Sequence, residues 1–130
     1  MDRLWIGLGS FVAFLGVGSG AFGAHALREV LSVRMLAVYQ TAVQYQLIHA
    51  LALIAIGCVA RGAASERLLG VAGTAIALGV LLFCGSLYAL ALTGVTWLGM
   101  VTPVGGVSLL VGWLSLLAAI LRAPRDPADS

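Results

Sequence analysis

Long uninterrupted apolar stretches, separated by short segments that carry the charges, dominate this chain. Residues 4–27, 35–60 and 68–121 contain no Asp, Glu, Lys or Arg. A membrane-spanning helix needs about 20 apolar residues, so the first two stretches each hold one span and the third holds two. The pattern predicts an all-α membrane protein whose four transmembrane helices form a compact bundle.

Turn-forming residues in the middle of the third stretch separate its two helices. Gly94, Gly99 and the pair Thr102-Pro103 fall there, and a threonine before a proline is typical of an N-cap followed by the first helical position. The predicted spans lie near residues 4–26, 37–60, 68–93 and 102–121, within a single transmembrane domain over residues 1–122. The Pro- and Asp-rich residues 123–130 are predicted to form a disordered tail.

Two segments near the first helix have a further interpretation. Apolar residues from Leu27 to Val38 recur at helical spacing with charged residues between them, which predicts a short helix lying in the membrane interface over residues 28–38. The start of the chain also resembles a signal peptide with Ala24-His25-Ala26 as the cleavage site. The long apolar run before that tripeptide favours a spanning helix over a signal peptide.

Composition supports lipid as the solvent of most of the chain. Hydrophobic residues make up 62% and charged residues 9% of the 130 residues, against roughly 25% charged in ordinary globular proteins. The mean hydropathy is +1.10. The net charge of +2 is scattered, which excludes a basic face for nucleic acid. Cys58 and Cys84 lie in apolar runs and are expected to be core residues rather than a disulfide.

The arginines predict the orientation of the bundle. Four spans place Arg3, Arg61, Arg67, Arg122 and Arg125 on one side and only Arg28 and Arg34 on the other. The positive-inside rule then puts both termini in the cytoplasm. The aromatic residues near the predicted helix ends are expected at the membrane interface, and they are Trp5, Tyr39, Tyr88 and Trp97.

Small residues at helical spacing are predicted to hold the helices together. Burying Leu against Leu gives little in lipid, so close backbone approach and interhelical hydrogen bonds take over. The predicted packing positions are Gly16, Gly20, Gly73, Gly79, Ser108 and Gly112.

The predicted spans carry no ionisable acid or base apart from histidine, tyrosine and cysteine. Ion-coupled transporters and proton pumps generally place a charged residue at mid-membrane, and the small multidrug-resistance transporters rely on a glutamate in their first helix. The lack of Asp, Glu, Lys and Arg in the predicted spans therefore argues against an ion-coupled transporter or pump and against a small multidrug-resistance transporter.

The second helix is where polar residues concentrate. Thr41, Tyr45 and His49 follow one another at a spacing of four and share a face, while Gln40 and Gln44 occupy an adjoining face. His25, Ser86 and Tyr88 are expected at the same outer side. Two interpretations stay open: a hydrogen-bond network that fixes helix register, or a polar pocket for a small ligand, lipid headgroup, quinone or ion.

Shared metal ligation and catalysis are not expected from these residues. His49 lies about 18 Å deeper than His25 at the rise of an α-helix, and zinc needs more ligands than two histidines. No acid is available at that depth for a Ser-His-Asp constellation. The sequence predicts no cofactor, no metal and no catalytic residue.

Four motifs resemble one family of small membrane proteins. They are GAFGAHAL at residues 20–27, TAVQYQLIHALAL at 41–53, GSLYALALTG at 85–94 and TPVGG at 102–106. In this order and spacing they resemble the domain of unknown function 423, which is similar to eukaryotic transmembrane protein 256. The resemblance implies a four-helix protein of the bacterial inner membrane and implies no activity. The motif residues of that family fall here on His25, Gln44, Tyr45, His49, Ser86, Tyr88, Pro103 and Gly105.

Three functional hypotheses follow. The first is a non-enzymatic accessory or assembly subunit of a larger membrane complex, whose partners are lipids and other membrane subunits or further copies of the chain. The second is a small oligomeric channel or transporter for a neutral or weakly charged solute, lined by the polar face of helix two. The third is a membrane enzyme or quinone-binding protein that uses His49 and Tyr45.

Overall fold

Four long helices make up almost all of the computed structural model, which describes residues 1–62 and 65–124. They are α1 (Asp2–His25), α2 (Val33–Val59), α3 (Glu66–Thr93) and α4 (Thr102–Leu121), with a short 3₁₀ helix at Thr96–Met100 before α4. Each long helix, the last counted with its 3₁₀ turn, is long and apolar enough to cross a membrane. The prediction of an all-helical chain with four such segments is therefore confirmed. The predicted disordered tail falls largely on residues 125–130, which lie outside the described residues.

The connection between α1 and α2 differs from its prediction. Residues 26–32 form turns, and α2 begins at Val33. The Ser32 hydroxyl accepts a hydrogen bond from the Met35 N–H at 3.2 Å, which satisfies one of the free donors at the start of the helix. This cap starts α2 inside the segment for which an interface helix was predicted, so that helix does not form over residues 28–38.

The connection between α3 and α4 is short and ends α3 at a glycine. Gly94 adopts a φ of 70°, a left-handed conformation that favours glycine and commonly ends helices. Pro103 lies in the first turn of α4. The Thr102 side chain does not make the predicted N-cap bond, because its hydroxyl is hydrogen-bonded to the Ser86 hydroxyl of α3 at 2.7 Å.

The helices α2 and α3 form the centre of the bundle, and α1 and α4 flank them. α1 packs on α2, α2 on α3, and α3 on α4. The central helices bury 44% and 33% of their most apolar segments, against 17% for α1 and 22% for α4. Within the described residues α1 and α4 share no extensive contact. The extensive helix pairs are therefore α1–α2, α2–α3 and α3–α4, in chain order.

Close approach at small residues accounts for the tight helix pairs. A Cβ atom on Gly79 would lie 2.5 Å from the Leu109 side chain, and one on Gly16 would lie 2.7 Å from that of Leu47. The Ser108 hydroxyl donates to the Ala75 carbonyl across the α3–α4 contact at 2.7 Å. The other predicted packing positions lie against neighbouring helices as well: Gly20 against Val43, Gly73 against Trp5 and Gly112 against Ile76.

Three of the four aromatic residues expected at the membrane interface are packed against other helices, and their depth in the bilayer stays a prediction. Trp5 and Tyr39 are buried, at 6% and 4% exposure, and Tyr88 is half-buried. Trp5 covers Gly73, where the missing side chain leaves room for the indole ring. Trp97 is 62% exposed on the 3₁₀ turn. Packing against glycine and interhelical hydrogen bonds hold the inner three, which sequence position alone does not reveal.

An ion pair joins two chain segments at one end of the bundle. The Arg61 Nε lies 3.1 Å from the Asp2 carboxylate, so the start of α1 and the connection after α2 share this end. We call it the Arg61 end, and we call the opposite end, where α1 finishes, the His25 end.

Candidate functional site

The polar residues predicted to cluster on α2 and on the neighbouring ends of α1 and α3 are divided between the interior and the surface of the bundle. His49 and Ser86 are buried, whereas His25, Gln40 and Gln44 are exposed. Thr41 is half-buried and donates to the Ala37 carbonyl of its own helix at 3.0 Å. Tyr45 is exposed and Tyr88 is half-buried.

Gln46 ties three helices together at the middle of α2. Its Nε2 donates to the Val12 carbonyl of α1 at 3.0 Å, and its Oε1 accepts from the Tyr88 hydroxyl of α3 at 2.7 Å. The side chain is 7% exposed. A carboxamide both donates and accepts, so this single residue satisfies an acceptor and a donor from two different helices.

His49 connects α2 to α4 through Trp113. The Trp113 Nε1–H donates to His49 Nε2 at 3.0 Å, and His49 Nδ1 lies 2.7 Å from the Tyr45 carbonyl. Because that carbonyl only accepts, Nδ1 carries the proton, which leaves Nε2 free to accept from the indole. His49 is therefore a neutral imidazole with both ring nitrogens engaged, and it offers no free nitrogen to a metal.

Aromatic rings surround this histidine. The Tyr45 ring stacks on the imidazole with centroids 5.8 Å apart, and it lies 4.5 Å from the Phe83 ring of α3. Trp113 meets the imidazole edge-on at 5.9 Å. We call Tyr45, His49, Phe83 and Trp113 the aromatic cluster. It lies where α2, α3 and α4 meet.

Further interhelical hydrogen bonds join neighbouring helices near the His25 end. The Tyr39 hydroxyl donates to the Ser19 carbonyl at 2.7 Å, which links α2 to α1. The bond between the Ser86 and Thr102 hydroxyls at 2.7 Å links α3 to α4 in the same way. These bonds satisfy polar groups that would be costly to leave unpaired in lipid. They are the kind of contact that fixes helix register.

Gln40 and Gln44 are the polar residues of α2 that face outward. Both are exposed, and neither amide makes a hydrogen bond within residues 1–62 and 65–124. Both line a groove of ≈ 330 Å³ between α1 and α2, together with Gly20, Gly23 and Ala24. Gly20 and Gly23 on the α1 wall are packed against Val43 and Tyr39 of α2, so the groove is a shallow surface feature beside the two amides.

The arrangement offers little to acid–base or metal chemistry. Among the described residues, no group of three or more His, Cys, Asp or Glu lies close enough to hold a metal ion. His25 is exposed at the end of α1, and His49 is engaged with Trp113 and Tyr45. The structure provides hydrogen-bonded side chains in the interior of the bundle and two exposed amides, those of Gln40 and Gln44, on its surface.

Sequence reasoning missed Gln46 and Trp113, the partners that complete the interior network. A usable signal was present for Gln46. Positions on the buried face of α2 follow one another at spacings of three and four residues, as on the core-facing side of a helix. They are Tyr39, Ala42, Gln46, His49, Leu53 and Ile56. For Trp113 no such signal exists, since α4 is apolar on every side.

The fold and the interhelical hydrogen bonds are those of a small membrane protein with four helices that are long and apolar enough to cross a bilayer. The chain belongs to the family described as protein of unknown function DUF423, whose family model matches residues 19–106. This confirms the resemblance seen in its motifs.

The relatives of the chain are membrane proteins by name. A UPF0382 membrane protein of Staphylococcus epidermidis is 42% identical over 120 residues, which cover 92% of this chain and 97% of the relative. The UPF0382 membrane protein YwdK of Bacillus subtilis is 38% identical over 120 residues, covering 92% of this chain and 98% of the relative. No solved structure matches the chain.

Proposed function

We propose that this protein acts by lateral contact within the bilayer, as a non-enzymatic accessory or assembly subunit of a larger membrane complex. The observation that carries the proposal is the pair of outward amides on α2. Gln40 and Gln44 are exposed and unpaired among the described residues, whereas the buried Gln46 is fully engaged with α1 and α3.

The depth of Gln44 makes an unpaired amide costly. The rise along α2 is about 15 Å from Arg34 to Gln44 and about 25 Å from Gln44 to Arg61. With a hydrocarbon core about 30 Å thick centred between these two charges, which are about 40 Å apart, the amide lies about 10 Å inside the nearer boundary. In hydrocarbon a carboxamide finds its hydrogen bonds in a neighbouring helix. The groove beside Gln44 leaves the amide accessible to such a helix from the surface of the bundle.

Replacing the two outward amides should release a partner without unfolding the bundle. We expect the wild-type chain, extracted in mild detergent, to run as a complex of defined mass that contains a second membrane protein. The double variant Gln40→Leu/Gln44→Leu should run alone, because leucine offers the partner no hydrogen bond. Native gel electrophoresis followed by mass spectrometry of the complex gives the readout.

A matched control separates loss of the amides from general damage to α2. Leu51 is 64% exposed on the same helix and lies outside the groove, so Leu51→Ala should leave the complex intact. A photo-crosslinking residue at position 40 should trap the same partner. Recovery of the wild-type chain alone, or of a complex that contains only further copies of this chain, would contradict the accessory role.

We also propose that the Arg61 end faces the cytoplasm of a bacterial cell, with the protein in the inner membrane. The ion pair between Asp2 and Arg61 supports a common side for the arginines near the N-terminus and after α2. Positive charge is retained on the cytoplasmic side of bacterial inner-membrane proteins.

Labelling of single cysteines in intact cells tests this orientation. With Cys58 replaced by serine, Val30→Cys in the α1–α2 connection should react with a membrane-impermeant maleimide. Gly62→Cys, in the connection after α2, should react only once the membrane is permeabilised. Both positions are exposed, and neither change removes an arginine. Labelling of Gly62→Cys and protection of Val30→Cys in intact cells would reverse the orientation.

A further inference from the structure

A groove between α2 and α4 opens on the lipid-facing surface beside the aromatic cluster. Its volume is ≈ 580 Å³, within the range of roughly 300–1,000 Å³ that is usual for small-molecule sites. Its rim is exposed at Ile48 of α2 and at Val107 and Leu110 of α4. The aromatic cluster lines the groove from α2, α3 and α4, and Pro103 and Gly106 line it from α4.

One hydrogen-bond donor among the side chains that line this groove is left without a partner. The polar groups of His49 and Trp113 satisfy each other and the Tyr45 carbonyl. The Tyr45 side chain is 38% exposed, and its hydroxyl makes no hydrogen bond within residues 1–62 and 65–124. A hydroxyl held in hydrocarbon without an acceptor loses its hydration with no compensating hydrogen bond. An occupant that brings an acceptor would recover much of that loss.

The position of the groove restricts the chemistry of its occupant. Tyr45 lies about 16 Å along α2 from Arg34, so a ligand reaches the groove through the hydrocarbon and must be lipid-soluble. A phospholipid would bring an ester carbonyl but no flat ring for the aromatic side chains. The faces of the aromatic cluster suit a flat ring. A ring that carries its own carbonyl acceptor and dissolves in hydrocarbon is a quinone with a hydrophobic tail.

We propose that the α2–α4 groove binds a lipid-soluble quinone, whose ring carbonyl accepts a hydrogen bond from the Tyr45 hydroxyl. Gly106 keeps the groove open. A Cβ at this position would lie 3.7 Å from the Phe83 ring, in ordinary contact, and any longer side chain would extend into the space for the ring. This binding site uses residues other than the outward amides, so it is independent of the proposed lateral contact.

Calorimetric titration of the purified full chain in micelles tests the site with two probes. Decyl-benzoquinone carries the carbonyls, and decylbenzene has the same tail and a ring without them. We expect saturable binding of the quinone to the wild type and a Kd about five- to tenfold higher for Tyr45→Phe, as the loss of one hydrogen bond predicts. Gly106→Leu should abolish saturable binding.

Controls make each outcome decisive. Leu114 is exposed on α4 and does not line the groove, so Leu114→Ala should bind the quinone as the wild type does. Tyr45→Phe keeps the ring and its packing, so a weaker Kd reports the hydroxyl. The proposal is overturned if the wild type shows no saturation, if decylbenzene binds as tightly as the quinone, or if Tyr45→Phe leaves the Kd unchanged.

Discussion

Alanine in place of Gly105 should destabilise the bundle by about 2–3 kcal/mol, because the added methyl group has no room. A Cβ atom at this position would collide with the backbone nitrogen and Cα of Phe83 on α3. Backbone atoms cannot rotate aside as a flexible side chain can. The variant must therefore push α3 and α4 apart, which also weakens the hydrogen bond between Ser86 and Thr102.

The neighbouring glycine provides the matched control for this substitution. A Cβ on Gly106 would lie 3.7 Å from the Phe83 ring, which is ordinary contact, and alanine favours the helix by up to about 1 kcal/mol over glycine. Gly106→Ala should be as stable as the wild type or slightly more so. Equilibrium unfolding in mixed micelles, followed by circular dichroism, compares the two. Equal stability of Gly105→Ala and Gly106→Ala would contradict the close approach of α3 and α4.

Leucine in place of Gln46 should cost about 1–3 kcal/mol of bundle stability. The change removes the bonds to the Val12 carbonyl and to the Tyr88 hydroxyl, and it leaves that hydroxyl unpaired in a nonpolar interior. Interhelical hydrogen bonds in membranes average about 0.6 kcal/mol each, so the unpaired hydroxyl makes up much of the loss. The same unfolding measurement applies.

Two further variants identify the source of this effect. Gln44→Leu changes the same residue type on the exposed side of α2, and it should leave the stability of the isolated chain unchanged. Adding Tyr88→Phe to Gln46→Leu removes the unpaired hydroxyl, so the double variant should lose less than the sum of the single losses. Simple additivity of the two losses, or equal losses for Gln44→Leu and Gln46→Leu, would show that the Gln46 network does not support the bundle.

The difference between Gln44 and Gln46 illustrates what sequence pattern could not resolve. In a soluble protein the apolar stripe of a helix marks its buried face. In these helices apolar residues face lipid as well as protein, so an apolar stripe does not mark the buried face. Sequence reasoning placed Gln40, Gln44 and Tyr45 in one candidate cluster with His49. The structure instead buries His49 against Trp113 and leaves both glutamines outside.

The sequence by itself determined the class of the protein, its four span-capable helices and its family, because charge is excluded from hydrocarbon and thereby marks the ends of each span. It also indicated small residues as the means of packing. Only the tertiary structure decided which polar side chains are hydrogen-bonded inside the bundle and which are exposed on its surface. The partners of Gln46 and His49 come from helices far apart in the chain. Such pairs depend on the distance and rotation between helices, which interdigitation at Gly79, Gly105 and Gly112 sets.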